Sequence, residues 1–143
     1  MPQIEYIVSE KTPIAIIIGA GYAPAETTFI TEPTATQQLG YIVYPKGHTI
    51  TPHQHKPQLR QIVGTTEVIL VKHGAVEAVL FDNQRKFIAK KLLNSGDIII
   101  LLNGGHGFEI LEDAVLVEIK QGPYMPNDDK EYFDHDISKC SYH

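Results

Sequence analysis

The chain has 143 residues, with twelve Lys and Arg against seventeen Asp and Glu for a net charge of −5, and is 43% hydrophobic and 20% charged. That length suits one domain able to bury roughly 70% of its unfolded surface, so neither disulfides nor a metal is needed merely to fold. The composition excludes a disordered chain, and the scattered bases exclude the basic stripe that a nucleic-acid partner requires.

Gln3–Val8 and Ile14–Ile18 read as the first strands. The second run is far shorter than the roughly 20 apolar residues that span a bilayer. A secretory leader fits poorly too, because Glu5 and Glu10 would face a single Lys11. The expectation is a cytoplasmic protein without a membrane partner. Gly19-Ala20-Gly21 imitates the opening of a dinucleotide loop, but Pro24 stands where the third small residue belongs and Thr27-Thr28-Phe29-Ile30 favours strand over helix. Residues 1–38 are expected to wrap the domain as an N-terminal arm.

Further strands are predicted at Leu39–Tyr44, Glu67–Lys72, Ala75–Phe81, Lys86–Leu92, Asp97–Leu102, Gly107–Leu111 and Ala114–Lys120. Turn residues separate them, among them His73-Gly74, Asp82-Asn83, Asn94-Ser95-Gly96 and Asn103-Gly104-Gly105. Short strands at about ten-residue spacing predict an all-β antiparallel sandwich or barrel. The one helical hint is a short turn over 128–133, and residues 134–143 read as a mobile polar tail. Cys140 has no internal partner, which suits a reducing compartment. Glu67–Val71 and Ile98–Leu102 are apolar on both faces, so a second layer is expected outside them, either residues 1–38 or a second subunit.

Five of the seven histidines fall between positions 48 and 106. His53 and His55 are two apart and would leave one face of an extended chain, where two imidazoles can share a cation. His73 shares parity with Glu67 but lies about 20 Å further along a strand, so it reads as a turn residue. His48 reads as a turn residue near the mouth of the domain, and His135 and His143 belong to the tail.

The series Gly47-x5-His53-Gln54-His55, Glu67-x6-Gly74 and Gly96-Asp97 through Gly104-Gly105-His106 resembles the two signature motifs of the cupin superfamily. The resemblance implies a double-stranded β-helix jelly-roll barrel over residues 39–133. It also implies His53, His55, Glu67 and His106 as ligands of a divalent transition metal, Fe, Mn, Ni, Co or Zn. Three departures stand out: eleven residues separate His55 from Glu67, Leu102 replaces a proline, and His106 comes one residue early. Gln61 or a water could take the place of Glu67. Without metal, the histidines would act as hydrogen-bonding core residues or acid–base groups.

Gly64-Thr65-Thr66-Glu67-Val68, Gly104-Gly105-His106-Gly107-Phe108-Glu109 and Val117-Glu118-Ile119-Lys120-Gln121-Gly122-Pro123-Tyr124 are similar to a narrower group of small stand-alone bacterial cupins. Asp129-Lys130 and Phe133 agree with that group. Its members commonly accompany enzymes of surface-polysaccharide or sugar-nucleotide synthesis, and such barrels are by default homodimers.

Phe108 shares a face with His106 and is a candidate wall of the cavity as well as a core residue. Arg60 can fork onto a substrate carboxylate or phosphate. Gln61 lies in the same insertion, and Gln121, in phase with Val115, Val117 and Ile119, reads as an inward polar contact. Tyr124 would close one end. Three readings follow: a metal-dependent enzyme on a small polar sugar- or acid-type ligand, a metal-free sugar-nucleotide isomerase or epimerase with His53 or His55 as base, and a non-catalytic sensor.

Overall fold

The computed structural model describes residues 3–127 and 129–135. Asp128 and residues 136–143, which include Cys140, His143 and most of the expected tail, lie outside the described residues. The chain divides into two compact units, one formed by residues 1–22 and 65–143, the other by Ala23–Gly64.

Every regular element among the described residues is a strand: β1 (Ile4–Ser9), β2 (Thr12–Ile18), β3 (Thr28–Phe29), β4 (Gly40–Tyr41), β5 (Glu67–His73), β6 (Ala75–Phe81), β7 (Phe87–Asn94), β8 (Ile98–Leu101), β9 (Gly105–Ile110) and β10 (Val115–Lys120). Residues 129–133, where a turn of helix is expected, are irregular. Among the described residues no helix is long and apolar enough to cross a membrane.

The first unit holds a five-stranded sheet of order β1-β2-β8-β5-β10 and a three-stranded sheet of order β7-β6-β9, with every pairing antiparallel. No backbone pairing joins the two sheets among the described residues, so they do not close into a barrel. Alternation explains the faces. Ile17, Ile69, Val71, Ile99 and Leu101 from the larger sheet meet Val76, Ala78, Leu80, Ala89 and Leu93 from the smaller in one buried cluster. The open side between β1 and β7 is bridged by Lys91 and Glu5, whose charged atoms lie 2.5 Å apart.

The N-terminal strands do not form a layer over the larger sheet. β1 and β2 extend it sideways, Ile16 and Ile17 pairing with Ile100 and Ile99. Both faces of β2, β5 and β8 are nevertheless buried: Ile16, Ile18, Val68 and Ile100 on the outward side are each less than a tenth exposed.

Two turns fix the ends of these strands. Asp97 takes Ala20 N on Oδ1 and Asn94 N on Oδ2, each at 2.8 Å, while Gly96 N donates to Val71 O and Val71 N to Asp97 O. The buried carboxylate thus ties the β7–β8 turn to the chain leaving β2. Gly104, at φ +77°, lies so close to β6 that a Cβ there would run into the carbonyl oxygen of Phe81, which is the close backbone approach expected of Gly104-Gly105.

In the second unit the only strands are β3 and β4, two residues each. The longer strand predicted over 39–44 is confined to Gly40–Tyr41, and residues 42–64 contain no strand or helix. Pro45, Pro52 and Pro57 interrupt this stretch and donate no ladder hydrogen bond.

Candidate functional site

Register gathers the charged groups at one end of the inward face. Across the larger sheet, inward residues run Ala15, Leu101, Glu67, Lys120 in one row and Ile17, Ile99, Ile69, Glu118 in the next. The rows are aliphatic until β5 and β10. On the facing sheet the row Ala89, Leu80, His106 ends on an imidazole, and His106 Nε2 lies 3.5 Å from Glu67 Oε2.

Glu67 is only 7% exposed. Its carboxyl is held below the usual carboxylate range, chiefly by its interaction with His106 and further by Glu118 and Lys120, which together outweigh the burial pushing it up. Glu118 is displaced upward, first by burial and then by the Glu67 carboxylate beside it. The two neighbouring carboxyls are thus pushed apart, Glu67 toward the ionised form and Glu118 toward the protonated one.

The rim of this cluster is cross-linked. Lys120 Nζ donates to Asp129 Oδ2 at 3.1 Å, and Thr65 Oγ1 donates to Asp129 Oδ1 at 3.1 Å. Those bonds draw the Asp129 carboxyl down and, with Glu118 nearby, the Lys120 amine up. Gln121 clamps the start of β5: its Oε1 accepts Thr66 N at 2.9 Å and its Nε2 donates to Thr66 Oγ1 at 2.7 Å. Phe108 lies inward next to His106, ring centroids 5.9 Å apart, and packs on the core cluster. Tyr124 is exposed, its ring 5.9 Å from Lys120 Nζ.

The expected phase of β10 is corrected. Val115, Val117 and Ile119 face outward and are exposed, while Leu116, Glu118 and Lys120 face in. Gln121 follows the outward row and meets Thr66 across the strand pair, so it serves to position the residue next to Glu67. Glu118 and Lys120 were not singled out from sequence because the apolar residues of β10 suggested the opposite face. Their period-two spacing with Leu116 was the available signal.

His53, His55, Arg60 and Gln61 belong to the second unit and are exposed in its irregular stretch. The two imidazoles stand edge to face at 5.5 Å between centroids. His53 Nδ1 is 2.9 Å from Thr51 O. As a carbonyl can only accept, this bond puts the proton on Nδ1 and leaves the Nε2 lone pair for a ligand. Within neither unit do three or more His, Cys, Asp or Glu side chains gather closely enough for one ion, among the described residues. His48 stacks on Tyr44 with ring centroids 4.2 Å apart, and His73 is exposed where β5 ends.

Comparisons of the chain with known protein families, with curated proteins and with solved structures found no match. The geometry must carry the functional reading alone.

A concavity of about 420 Å³ lined by Arg85, Tyr132, Phe133 and Asp134 lies at the same end of the smaller sheet as His106, next to Phe81 and Gly105. Arg85 pairs with Glu131 at 3.1 Å and lies over the Phe133 ring, which meets Phe81 edge-on. These contacts fasten the segment after β10 onto the smaller sheet.

Proposed function

We propose that this chain is a metal-binding protein of the cupin type, acting in the cytoplasm on a small polar sugar- or acid-type ligand. Glu67 and His106 supply ligands of a divalent transition metal, and the paired imidazoles of His53 and His55 are further donors of the kind such a metal takes. The observation that carries the reading is the 3.5 Å approach of Glu67 to His106 from facing sheets. These two of the four expected ligands lie far apart in sequence, and one is a buried carboxylate held ionised. The His53 tautomer set by Thr51 O adds a nitrogen suited to such an ion.

The donor set of imidazole and carboxylate suits Fe, Mn, Ni, Co or Zn, and a metal so held would polarise a substrate oxygen or acidify water. The chain's own residues would orient and protonate. Lys120 brings a positive charge to the rim, Glu118, pushed toward its protonated form, stands beside Glu67, Gln121 fixes the strand that carries Glu67, and Phe108 restricts water near His106. Arg60 and Gln61 remain candidates for ligand binding. The fused Glu67, His106 and Glu118 contacts also support a second reading, metal-free acid–base catalysis of sugar-nucleotide isomerisation with His106 as the base oriented by Glu67.

Elemental analysis separates the two. Protein purified, then reconstituted with each of the five metals, is expected to retain about one ion per chain. Retention should be lost in Glu67→Gln and in His106→Ala, and reduced in the His53→Ala/His55→Ala double variant. A wild-type protein that keeps no ion after reconstitution sinks the metal reading. Turnover of a sugar-nucleotide panel by that metal-free protein, abolished in His106→Ala, would support the second reading, and binding without turnover would point to a sensor.

A further inference from the structure

The β6–β7 hairpin turns through Asn83, Gln84 and Arg85 in a form whose last residue is left-handed, a place that glycine takes without steric cost. Here it is Arg85, at φ +67°, a backbone that a long side chain adopts only under constraint. The constraint is visible. Asp82 Oδ1 accepts Gln84 N and Lys86 N at 2.9 Å each, Arg85 N donates to Asp82 O, and Asp82 N donates to Lys86 O. Asn83 Oδ1 accepts Gly104 N, which ties the turn to the chain entering β9. Glu10 is left-handed too, in the β1–β2 turn, so strain by itself marks no site. What sets Arg85 apart is where its side chain goes.

Its guanidinium lies 5.1 Å from the centre of the Phe133 ring and 3.1 Å from Glu131, while the side chain stays half exposed. It forms one wall of the concavity that Tyr132, Phe133 and Asp134 complete. Phe133 and His135 anchor that second wall. Their rings meet Phe81 at 5.1 and 4.7 Å between centroids, and Gly105 admits the Phe133 ring, since a Cβ there would come within 2.8 Å of it. Tyr132 and Asp134 alternate with these anchors and are exposed, Tyr132 by 85%.

The lining selects a ligand by its chemistry. A guanidinium only donates and an ionised carboxylate only accepts, so the ligand must carry acceptors and donors side by side. Arg85 is matched by Asp134 and Glu131, so the walls offer no surplus positive charge to a phosphate or carboxylate, and Lys86 and Lys130 adjoin them in sequence without lining the concavity. The Tyr132 ring offers an apolar face. Phe133 is engaged by Arg85 and Phe81, so the two rings do not form a sandwich for a flat base. A pyranose, with hydroxyls around its edge and C–H groups on its face, meets all of these terms, and the volume is that of a small-molecule site.

We propose that this concavity binds a neutral pyranose unit, with Arg85 and Asp134 taking adjacent hydroxyls and Tyr132 packing on the sugar's C–H face. The site lies on the outward side of the smaller sheet, the side of Phe81 and Gly105, whereas His106 faces inward. It goes beyond the metal reading and does not depend on it.

The chain contains no Trp, so Tyr132→Trp in the full chain puts its one indole in the concavity and keeps an aromatic face. Neutral methyl hexopyranosides are expected to change the fluorescence of this variant saturably, with a Kd in the millimolar range, and saturation-transfer NMR on the unaltered chain should rank the same sugars alike. In the fluorescent background Arg85→Gly and Asp134→Ala should each weaken binding about tenfold. Glycine takes the left-handed backbone freely, so Arg85→Gly is expected to stay folded, which far-ultraviolet dichroism checks. Glu131→Gln releases the guanidinium from its exposed partner and should leave Kd within about twofold, separating recognition by Arg85 from the fastening of the segment. Glu67→Gln should also leave it unchanged, which keeps this site apart from the metal reading. The proposal is overturned by the absence of a saturable change with any hexopyranoside, or by a response confined to the fluorescent variant. A stronger response to glucuronate, inorganic phosphate or a nucleoside overturns it too, as does a loss in Glu131→Gln equal to that in Arg85→Gly.

Discussion

A methyl group added at Gly104 meets two penalties at once. The backbone there has φ +77°, which side chains other than glycine adopt at a cost, and the new carbon would run into Phe81 O. Gly64 has φ +84° with open space around the Cβ position, so it isolates the first penalty. Gly104→Ala is expected to lower unfolding free energy by about 3 kcal/mol or more and Gly64→Ala by about 1 kcal/mol, read from urea midpoints at constant m. Equal losses would show that the approach to β6 costs nothing.

The carboxylates give a second prediction at the same scale. Glu67 titrates below its ordinary value near about 4.3, so the stability it contributes is complete above that value and is lost as pH falls through its depressed folded pKa. Glu118 is raised, so the folded protein holds its proton longer than the unfolded chain does. Its ionisation therefore removes stability as pH rises from the ordinary value through the raised one. The two slopes oppose, and metal-free protein should be most stable in the weakly acidic range. Glu118→Gln should abolish the decline on the alkaline side of that optimum while leaving the acid limb in place. Thermal melts across pH check this, and an unchanged alkaline limb counts against a raised Glu118 carboxyl.

Among elements, the β7–β8 turn shows how one side chain can organise several strands. Asp97 is 6% exposed and satisfies two amides, one local and one 77 residues away in sequence at Ala20. Asp97→Asn keeps one acceptor oxygen and faces an amide with its own NH2 group, leaving a buried donor unpaired. The expected loss is about 1–3 kcal/mol in urea unfolding, and a loss within experimental error would remove the tie between this turn and β2.

β10 shows where sequence reading succeeds and where it fails. Its position between Glu112-Asp113 and Gly122-Pro123 is legible because turn residues bound an alternating run. Its phase is not, because Val115, Val117 and Ile119 offer an apolar face at least as strong as the true inward set of Leu116, Glu118 and Lys120. Pairing with β5 decides the matter, as Glu118 must face with Ile69 and Lys120 with Glu67. The same failure hid Glu118 from the candidate site, while Glu67 and His106 were found because their motifs place them independently of phase. His53 and His55 were legible as a pair, but their stretch belongs to no strand: Pro52 and Pro57 flank them and no neighbouring strand pairs with it among the described residues.

For the molecule as a whole, the all-β antiparallel architecture was readable from spacing alone, since β5 to β10 follow one another with short turns. The place of the N-terminal strands was not, because sideways extension of a sheet and a covering layer require the same aliphatic run. Pairing of β2 with β8 has a consequence for a cut chain. Lys46 and Arg60 lie in exposed irregular backbone, whereas Lys90 and Lys91 lie in the paired strand β7 and are engaged with Glu77 and Glu5. Trypsin should therefore cut first after Lys46 and Arg60, sparing Lys56 because Pro57 follows it. The fragment ending at Lys46 contains β1 and β2, and the fragment from Gln61 contains β5 to β10. Four register pairs, Ala15 to Leu101 through Ile18 to Ile98, hold the two together, backed by the buried cluster that both supply. Nicked protein should run as one species in native gel filtration and as two large fragments, with the peptide 47–60 excised, in denaturant, the strand signal in far-ultraviolet dichroism being retained. If the fragments part under native conditions, β2 is not an integral strand of the larger sheet.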